Sequence, residues 1–368
     1  MAGVLEHRRE YLRLMRQITQ DAGFFTVTDI QKTAGIPRST AQDWILRFVR
    51  EGCVLLKKEK SGRSPARYAA ITVIPKSTCR RIFTTTDGEH VEIFHECMSS
   101  ACAAFCAFHH ARAGGVLTDV KRDGTLLREC ARIGDTSISI GLPPDSAVGI
   151  CGVSLSGDYI VQRIRCIGGP AFSLTDMISH AEGVSRVELV QKDGIVEGNV
   201  WTNAYTSLTI GIDDTDSKAG GATFALALAL LTRLSADKVV IPVSHRIVML
   251  NETLNNKTAG NSASYIEVAV SPNRIERVIT ISREFVENES LSPEWGLAFR
   301  KGMTIPAGLR EYGCRVRSKV VDRPDAEETA RRFGVVLYGG NGVIGALGAV
   351  ALARLPHEIQ MDPARKID

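Results

Sequence analysis

Apolar positions in the first 74 residues recur at helical spacing and then at strand spacing. Leu5, Tyr11, Leu12, Leu14, Met15 and Ile18 form one helical stripe, the pattern of an amphipathic helix. A second helix is expected over 27–34, with Thr26 or Thr28 near its cap, and Gly35, Ile36 and Pro37 make a tight turn. The third helix is expected over 39–49, stopped at Gly52, with Pro37 where a first helical turn tolerates it. Strands follow at 53–58 and 68–73 around a basic turn that holds Gly62 and Pro65. Between 75 and 205 the apolar runs are short (137–142, 147–155 and 159–167) and broken by Gly, Pro and Asp, which reads as strands joined by turns. From 206 onward a β-branched strand at 207–212 runs straight into an acidic turn, a glycine pair and a strongly apolar helix at 224–234. The apolar run 342–353 is shorter than the roughly 20 residues of a membrane span and reads as a buried helix.

Composition narrows this little. The chain has 368 residues, 44% hydrophobic and 23% charged, a globular balance with room for two or three domains. The net charge of +4 is too small to demand a polyanion, but basic residues crowd the first 70 positions. The first 20 residues are charged, unlike a signal peptide, so a cytoplasmic location without membrane contact is expected. Nine cysteines then read as reduced thiols or metal ligands ahead of disulfides.

Three groups of residues carry candidate chemistry. At the start of the third helix, Arg38, Ser39, Thr40 and Gln42 are placed to reach base edges. In the two expected strands and the basic turn between them, Lys57, Lys58, Lys60, Arg63 and Arg67 are placed to face phosphates. In the middle region, a helix over 98–112 would bring Cys102, Cys106, His109 and His110 to one side with Cys97 just ahead, a set that could hold zinc or an iron–sulfur cluster. The third group is Asp213, Asp214 and Asp216. Three carboxylates in four positions repel one another unless a cation sits among them. Mg²⁺ suits such oxygens and bridges to phosphates. Gly220 and Gly221 would let backbone approach phosphate oxygens ahead of a helix N-terminus.

The first region resembles the winged helix-turn-helix of archaeal transcription regulators. The string from Gly211 to Thr223 resembles the opening signature of the kinase-like domain of archaeal tRNA-isoleucine agmatinylcytidine synthetase (TiaS). Two further stretches agree in order: Arg246, Asn251, Asn256, Lys257, Thr258, Gly260, Asn261 and Ser262, and then the Gly-Asn-Gly loop within 338–347. The resemblance implies ATP and Mg²⁺ as cofactors, phosphorylation of a carbonyl oxygen, and a ferredoxin-like partner domain. It implies that Asp213, Asp214 and Asp216 hold Mg²⁺ and triphosphate, and that Thr215 and Ser217 orient them. Lys257 would offset developing charge, and Asn256, Asn261, Asn341 and Gly342 would position nucleotide or substrate. The Gly-Gly-Ala-Thr-Phe variant also resembles methanogenesis-marker proteins of archaea. The oligonucleotide-binding barrel and zinc ribbon that follow this domain in the agmatinylcytidine synthetase family are not expected in this sequence.

The expectation is therefore an α/β (α+β) protein: a winged helix at 1–74, a Cys-containing domain at 75–205 and a TiaS-like ATP/Mg²⁺ domain at 206–368. The leading function is ATP-dependent activation or phosphorylation of a nucleotide, RNA or small-molecule acceptor. Its alternatives are a DNA-binding regulator that senses a nucleotide without turnover, and a maturation factor for a methanogenic enzyme. DNA is placed ahead of tRNA as the nucleic-acid partner, and a homodimer is compatible with the winged helix.

Overall fold

The computed structural model describes residues 2–62, 64–71, 78–167, 178–254 and 260–367. The chain divides into two units, Met1–Thr78 and Cys79–Asp368.

In the first unit, helices α1 (Ala2–Ala22), α2 (Val27–Ala34) and α3 (Arg38–Arg50) precede strands β1 (Val54–Lys58) and β2 (Arg67–Ala70). The α2 start is fixed by a capping box. The Thr26 Oγ1 accepts from the Asp29 backbone while the Asp29 carboxylate accepts from the Thr26 backbone, a reciprocal arrangement that satisfies two otherwise orphaned donors. Gly35 closes the helix in the left-handed conformation. Met15, Phe25, Ile30, Ile45 and Phe48 form the core, so the helical stripe points inward as expected except at Leu5, which is exposed. β1 and β2 pair antiparallel.

The second unit is mixed α/β and organised by one long strand, β11 (Ile195–Asp213). Its first half pairs with β9 (Tyr159–Ile167) and β10 (Val184–Lys192). At Ala204 and Tyr205 it touches β3 (Cys79–Thr86) in parallel, and β3 leads on to β4 (His90–Cys97), β6 (Leu126–Arg132) and β5 (Leu117–Asp123). β7 (Gly134–Asp135) and β8 (Val148–Ser156) extend the β9 edge. The expected division at 205/206 thus falls inside a continuous strand. The expected strand at 137–142 is irregular, with one bridge between Ile140 and Ser146.

The last half of β11 is the centre of a five-stranded antiparallel sheet ordered β12 (Val240–Met249), β13 (Ser262–Val270), β11, β14 (Gly296–Lys301), β15 (Val336–Gly339). Side chains alternate across it. Leu208, Ile210 and Ile212 pack in one core with α5 (Thr223–Ala236) and α6 (Ile275–Glu289). On the opposite face lie α7 (Ala307–Ser318), α8 (Arg323–Arg332) and α9 (Val343–Ala351), with a short α10 (His357–Met361) after them. The apolar 342–353 run is indeed a buried helix: every residue of α9 but Ile344 is buried. Helix α9 lies so close to β11 that a Cβ on Gly211 would come within 2.0 Å of the Ala346 carbonyl oxygen.

Candidate nucleotide and metal site

Strand β11 ends at Asp213 because its apolar alternation ends there, and the chain turns at Asp214, which adopts a positive φ of 53°. Ser217 and Gly220 exchange backbone hydrogen bonds of 2.9 and 3.1 Å, closing a tight loop. Gly221 carries φ of 88°, a conformation that side-chain-bearing residues rarely adopt. Helix α5 starts at once after the loop. Thr223 Oγ1 donates to Asp216 Oδ1 (3.1 Å) and stands 3.1 Å from Thr215 Oγ1. The loop is therefore tied to the first turn of α5.

A cavity of ≈250 Å³ opens at this strand end. Asp213 lines it from the end of β11 and Asp214 and Asp216 from the loop that follows, Asn261 and Ser262 from just before and at the start of β13, and Asn341 and Gly342 from the turn before α9. Of the twelve residues expected at the ATP/Mg²⁺ site, six line this cleft: Asp213, Asp214, Asp216, Asn261, Asn341 and Gly342. Asp213 is half-buried, and its carboxylate fits only because residue 345 is glycine: a Cβ there would lie 1.7 Å from Asp213 Oδ2. Burial pushes the Asp213 carboxyl up to about 8. The Asp214 and Asp216 charges push the same way, against a hydrogen bond from the Asp214 backbone. Asp214 is also raised by burial and by the Asp216 and Glu294 charges, opposed by a hydrogen bond from Ser292.

Other expected residues have different duties. Asn261 donates to the Asn251 carbonyl at 2.7 Å, while the Asn251 side chain accepts from Thr253, so this pair shapes the loop wall. Arg246 is ion-paired with Asp123. The Asn341 backbone N–H donates to Glu294 Oε2 at 2.8 Å. Asn256 and Lys257 lie outside the described residues, as does Arg63. Lys319, directly after α7, also lines the cleft. It sits in none of the recognised motifs, and only the three-dimensional packing of α7 reveals it.

Among the described residues no three His, Cys, Asp or Glu side chains are grouped to hold a metal by themselves. Mg²⁺ does not require that, since it is commonly held by one or two carboxylates with water and substrate phosphate completing the octahedron. Asp213 and Asp214 fit this use, being carboxylates that open to a cavity and have no ion pair among the described residues. The same observation leaves Cys97, Cys102 and Cys106 without a zinc or iron–sulfur ligand set among the described residues. Helix α4 (Ser100–Ala113) forms as expected, but its groups part company. Cys106 hydrogen-bonds Cys97, which favours the Cys97 thiolate and, with burial, disfavours that of Cys106. His110 meets Glu129 at 2.5 Å, and His109 accepts from the Ala147 backbone.

In the first unit Arg38, Ser39 and Gln42 are exposed on α3, Thr40 is partly so, and Lys60 is exposed beyond β1. The Arg38 guanidinium donates to Thr28 at 3.2 Å.

No helix among the described residues is long and apolar enough to cross a membrane. An uncharacterised protein of Methanocaldococcus jannaschii is 25% identical over 278 residues, 74% of this chain and 91% of that one. The tRNA 2-agmatinylcytidine synthetase TiaS of Pyrococcus horikoshii is 29% identical over 170 residues, 44% of this chain. TiaS of Pyrobaculum neutrophilum is 31% identical over 153 residues, 39% of this chain. The chain spans only 39% and 34% of the length of those two synthetases. All three organisms are archaea. A crystal structure of TiaS with tRNA and ATP overlaps at a TM-score of 0.37 and 25% identity, over 40% of this chain and 36% of that one. Placing DNA ahead of tRNA is overturned by the two synthetases, which are named for tRNA. Exposed lysines at and beyond β1 would suit the phosphates of any nucleic acid equally, so charge alone gives no ground for that ranking. Residues 209–286, from the last five residues of β11 through most of α6, match the TiaS TCKD domain.

Proposed function

We propose that the second unit binds ATP with Mg²⁺ at the end of β11 and transfers a phosphoryl group to an oxygen of an RNA acceptor. The observation that carries this reading is the cavity at the end of β11, where Asp213, Asp214 and Asp216 face Asn261, Ser262, Asn341 and Gly342. Carboxylates such as Asp213 and Asp214, which have no ion pair among the described residues, are suited to a cation that arrives with substrate. The match of this stretch to the TiaS TCKD domain supports the choice of ATP, and the relatives' substrate supports RNA.

In this reading Asp213 and Asp214 hold Mg²⁺, which when bound neutralises phosphate charge. Asp216, tied to Thr223, keeps the acidic loop in register with α5. Asn261, Ser262 and Asn341 orient the nucleotide from the opposite walls. Lys319 faces the charge that builds on the transferred group, and Lys257 is assigned the same duty from the resemblance. The γ-phosphorus–oxygen bond breaks, ADP leaves, and the acceptor oxygen gains the phosphoryl group. The helix–helix–turn–helix and hairpin of the first unit act as a winged helix that grips RNA backbone through Lys57, Lys58 and Lys60 and approaches bases with Arg38, Ser39 and Gln42.

The test is ATP turnover with Mg²⁺ and total archaeal tRNA, following ADP and AMP, on the wild type and Asp213→Asn. Turnover that depends on tRNA and is lost in the variant is the expected result. ATP binding without turnover in the presence of tRNA would remove the phosphotransfer reading and leave a nucleotide sensor.

A further inference from the structure

Three thiols, two imidazoles and a carboxylate meet where β3, β4, β6 and α4 come together. Cys79 on β3 and Cys97 at the end of β4 are paired across the sheet. The chain then turns at Ser99, whose Oγ accepts from the Cys102 backbone at 3.2 Å and caps α4. The turn returns Cys106, two helical turns on, to the end of the strand the chain has just left, and there its thiol donates to Cys97. One turn later His110 Nδ1 meets Glu129 Oε1 of β6 at 2.5 Å, and His95 Nε2 of β4 stands 3.4 Å from Glu129 Oε2. Glu129 and both imidazoles are buried.

The two thiols in contact differ in character. The hydrogen bond from Cys106 favours the Cys97 thiolate, and the His110 charge works in the same direction against burial. The same bond, together with burial, keeps the proton on Cys106. A thiolate is the nucleophile of cysteine chemistry, and a protonated thiol beside it can resolve the sulfenic acid that oxidation creates. Cys97 is only 4% exposed, whereas Cys106 is partly exposed. An oxidant that reaches Cys97 past Cys106 is therefore small, close to water in size rather than a bulky organic disulfide.

We propose that Cys97 and Cys106 are a peroxide-reactive pair that closes to a disulfide between β4 and α4. The Cys97 sulfur attacks one oxygen of hydrogen peroxide, the O–O bond breaks, and Cys97 becomes a sulfenic acid. The hydroxide that leaves takes up the proton that Cys97 gave up and departs as water. The Cys106 sulfur then attacks the Cys97 sulfur, the S–O bond breaks, and a second water leaves with the Cys106 proton as the S–S bond forms. The two sulfurs lose two electrons between them, and the peroxide gains both. Because the thiols are already hydrogen-bonded, closure needs only local movement. This site owes nothing to the reading of the acidic cleft.

The experiment exposes the reduced full chain to hydrogen peroxide for increasing times and blocks the remaining thiols with iodoacetamide. Oxidised sulfurs are then reduced, labelled with N-ethylmaleimide and assigned by fragment-ion mass spectrometry. Cys314, which is exposed, serves as the internal reference, since accessibility alone would oxidise it first. The expected result is that Cys97 and Cys106 become protected together, about tenfold faster than Cys314, while Cys102 still takes iodoacetamide. Oxidised glutathione at the same concentration should close the pair at least about tenfold more slowly than peroxide. In Cys106→Ser the reaction should stop at the Cys97 sulfenic acid, captured by dimedone. The wild-type measurements decide the matter even if that variant fails to fold. Oxidation of Cys314 ahead of the pair, equal rates with the two oxidants, or closure of Cys97 onto Cys79 would each overturn the proposal.

Discussion

Two enclosed carboxylates on one face of the same sheet have opposite proton affinities. Asp213, at the end of β11, is pushed up to about 8. Glu267, on β13 opposite Thr209, is held down at about 2. Burial raises both. At Glu267 the Arg128 and Arg354 guanidiniums outweigh it, with a hydrogen bond from Ser244 at 2.8 Å. At Asp213 the nearest charges are two more carboxylates. Helix α9 sharpens the contrast. Its N-terminal turn lies over Asp213, and the carbonyls of Ala351 and Ala353 at its other end accept from Arg310, with Arg354 following directly. A helix dipole favours a negative group at the first end and a positive one at the second, and among the described residues only the arginine end has ion-paired counter-ions. Glu92 and Glu267 each bind both Arg128 and Arg354. The lesson is that a charge cluster closed by its own chain is structural, whereas one left open beside a cavity awaits a ligand.

The largest effect is expected from opening the closed cluster. Arg354→Met would leave Glu92 and Glu267 with one guanidinium between them, and removing one member of a buried ionic group costs on the order of 3–5 kcal/mol. Chemical denaturation should show that loss. A midpoint within error of the wild type would mean that the cluster is not what joins β4, β6 and β13. The same cluster dictates an acid limit. The Glu267 contribution is fully present above its unfolded value near 4.5 and is lost as pH falls toward 2. About 3 kcal/mol is at stake for a shift of this size.

Next is the open site. Gly345→Ala would drive a methyl group into the Asp213 carboxylate, which must move or give up its place. Turnover is expected to fall at least about a hundredfold, the scale seen when catalytic positioning is disturbed, while circular dichroism stays native. Turnover within threefold of the wild type would show that Asp213 works from another position.

Part of this contrast was legible in the sequence and part was not. The acidic turn and the glycine pair stand out because a β-branched run stops at three carboxylates, and α9 stands out because a continuous apolar run needs burial. Local pattern sufficed for both. The first half of β11 was hidden because Gly198, Asn199 and Asn203 interrupt its alternation, and it is held as strand by neighbours on both sides rather than by propensity. The Glu92–Arg354 pair is separated by 262 positions, so no local signal marks it. In α4 helical spacing grouped Cys102, Cys106, His109 and His110 correctly as neighbours on a helix. It could not show that β4, β6 and the segment before β8 would each claim one of them, with Cys97, Glu129 and Ala147 as the partners. Gly345 reads in sequence as a weak helix residue, and its reason for being there is the carboxylate beneath it.

A smaller effect follows from the proton on Asp213. A carboxyl with a pKa of about 8 is mostly protonated at pH 7, and a cation must displace that proton. Apparent Mg²⁺ affinity should therefore rise with pH up to about 8 and level off above it, by as much as tenfold per pH unit below that point. Calorimetric titrations of Mg²⁺ in the presence of ATP at pH 6.5, 7.5 and 8.5 read this directly. In Asp213→Asn the slope should vanish, because an amide has no proton to give up. A pH-independent affinity in the wild type would mean that Asp213 is ionised throughout and that the cleft already contains a compensating charge.

The smallest effect belongs to Lys319, and it decides how open the acidic cleft is. Lys319 lines the cavity, yet no carboxylate in the described ion pairs is its partner, so it is free to follow a phosphate. If it faces the transferred group, Lys319→Met should lower kcat about tenfold with little change in KM, the mark of an interaction made mainly in the transition state. If it only draws nucleotide into the cleft, KM should rise and kcat should hold. Lys319→Arg separates charge from shape. A charge contribution survives that change in part, because guanidinium keeps the positive sign but not the compact ammonium geometry. Equal kinetics in all three proteins would assign the cationic duty to Lys257 alone.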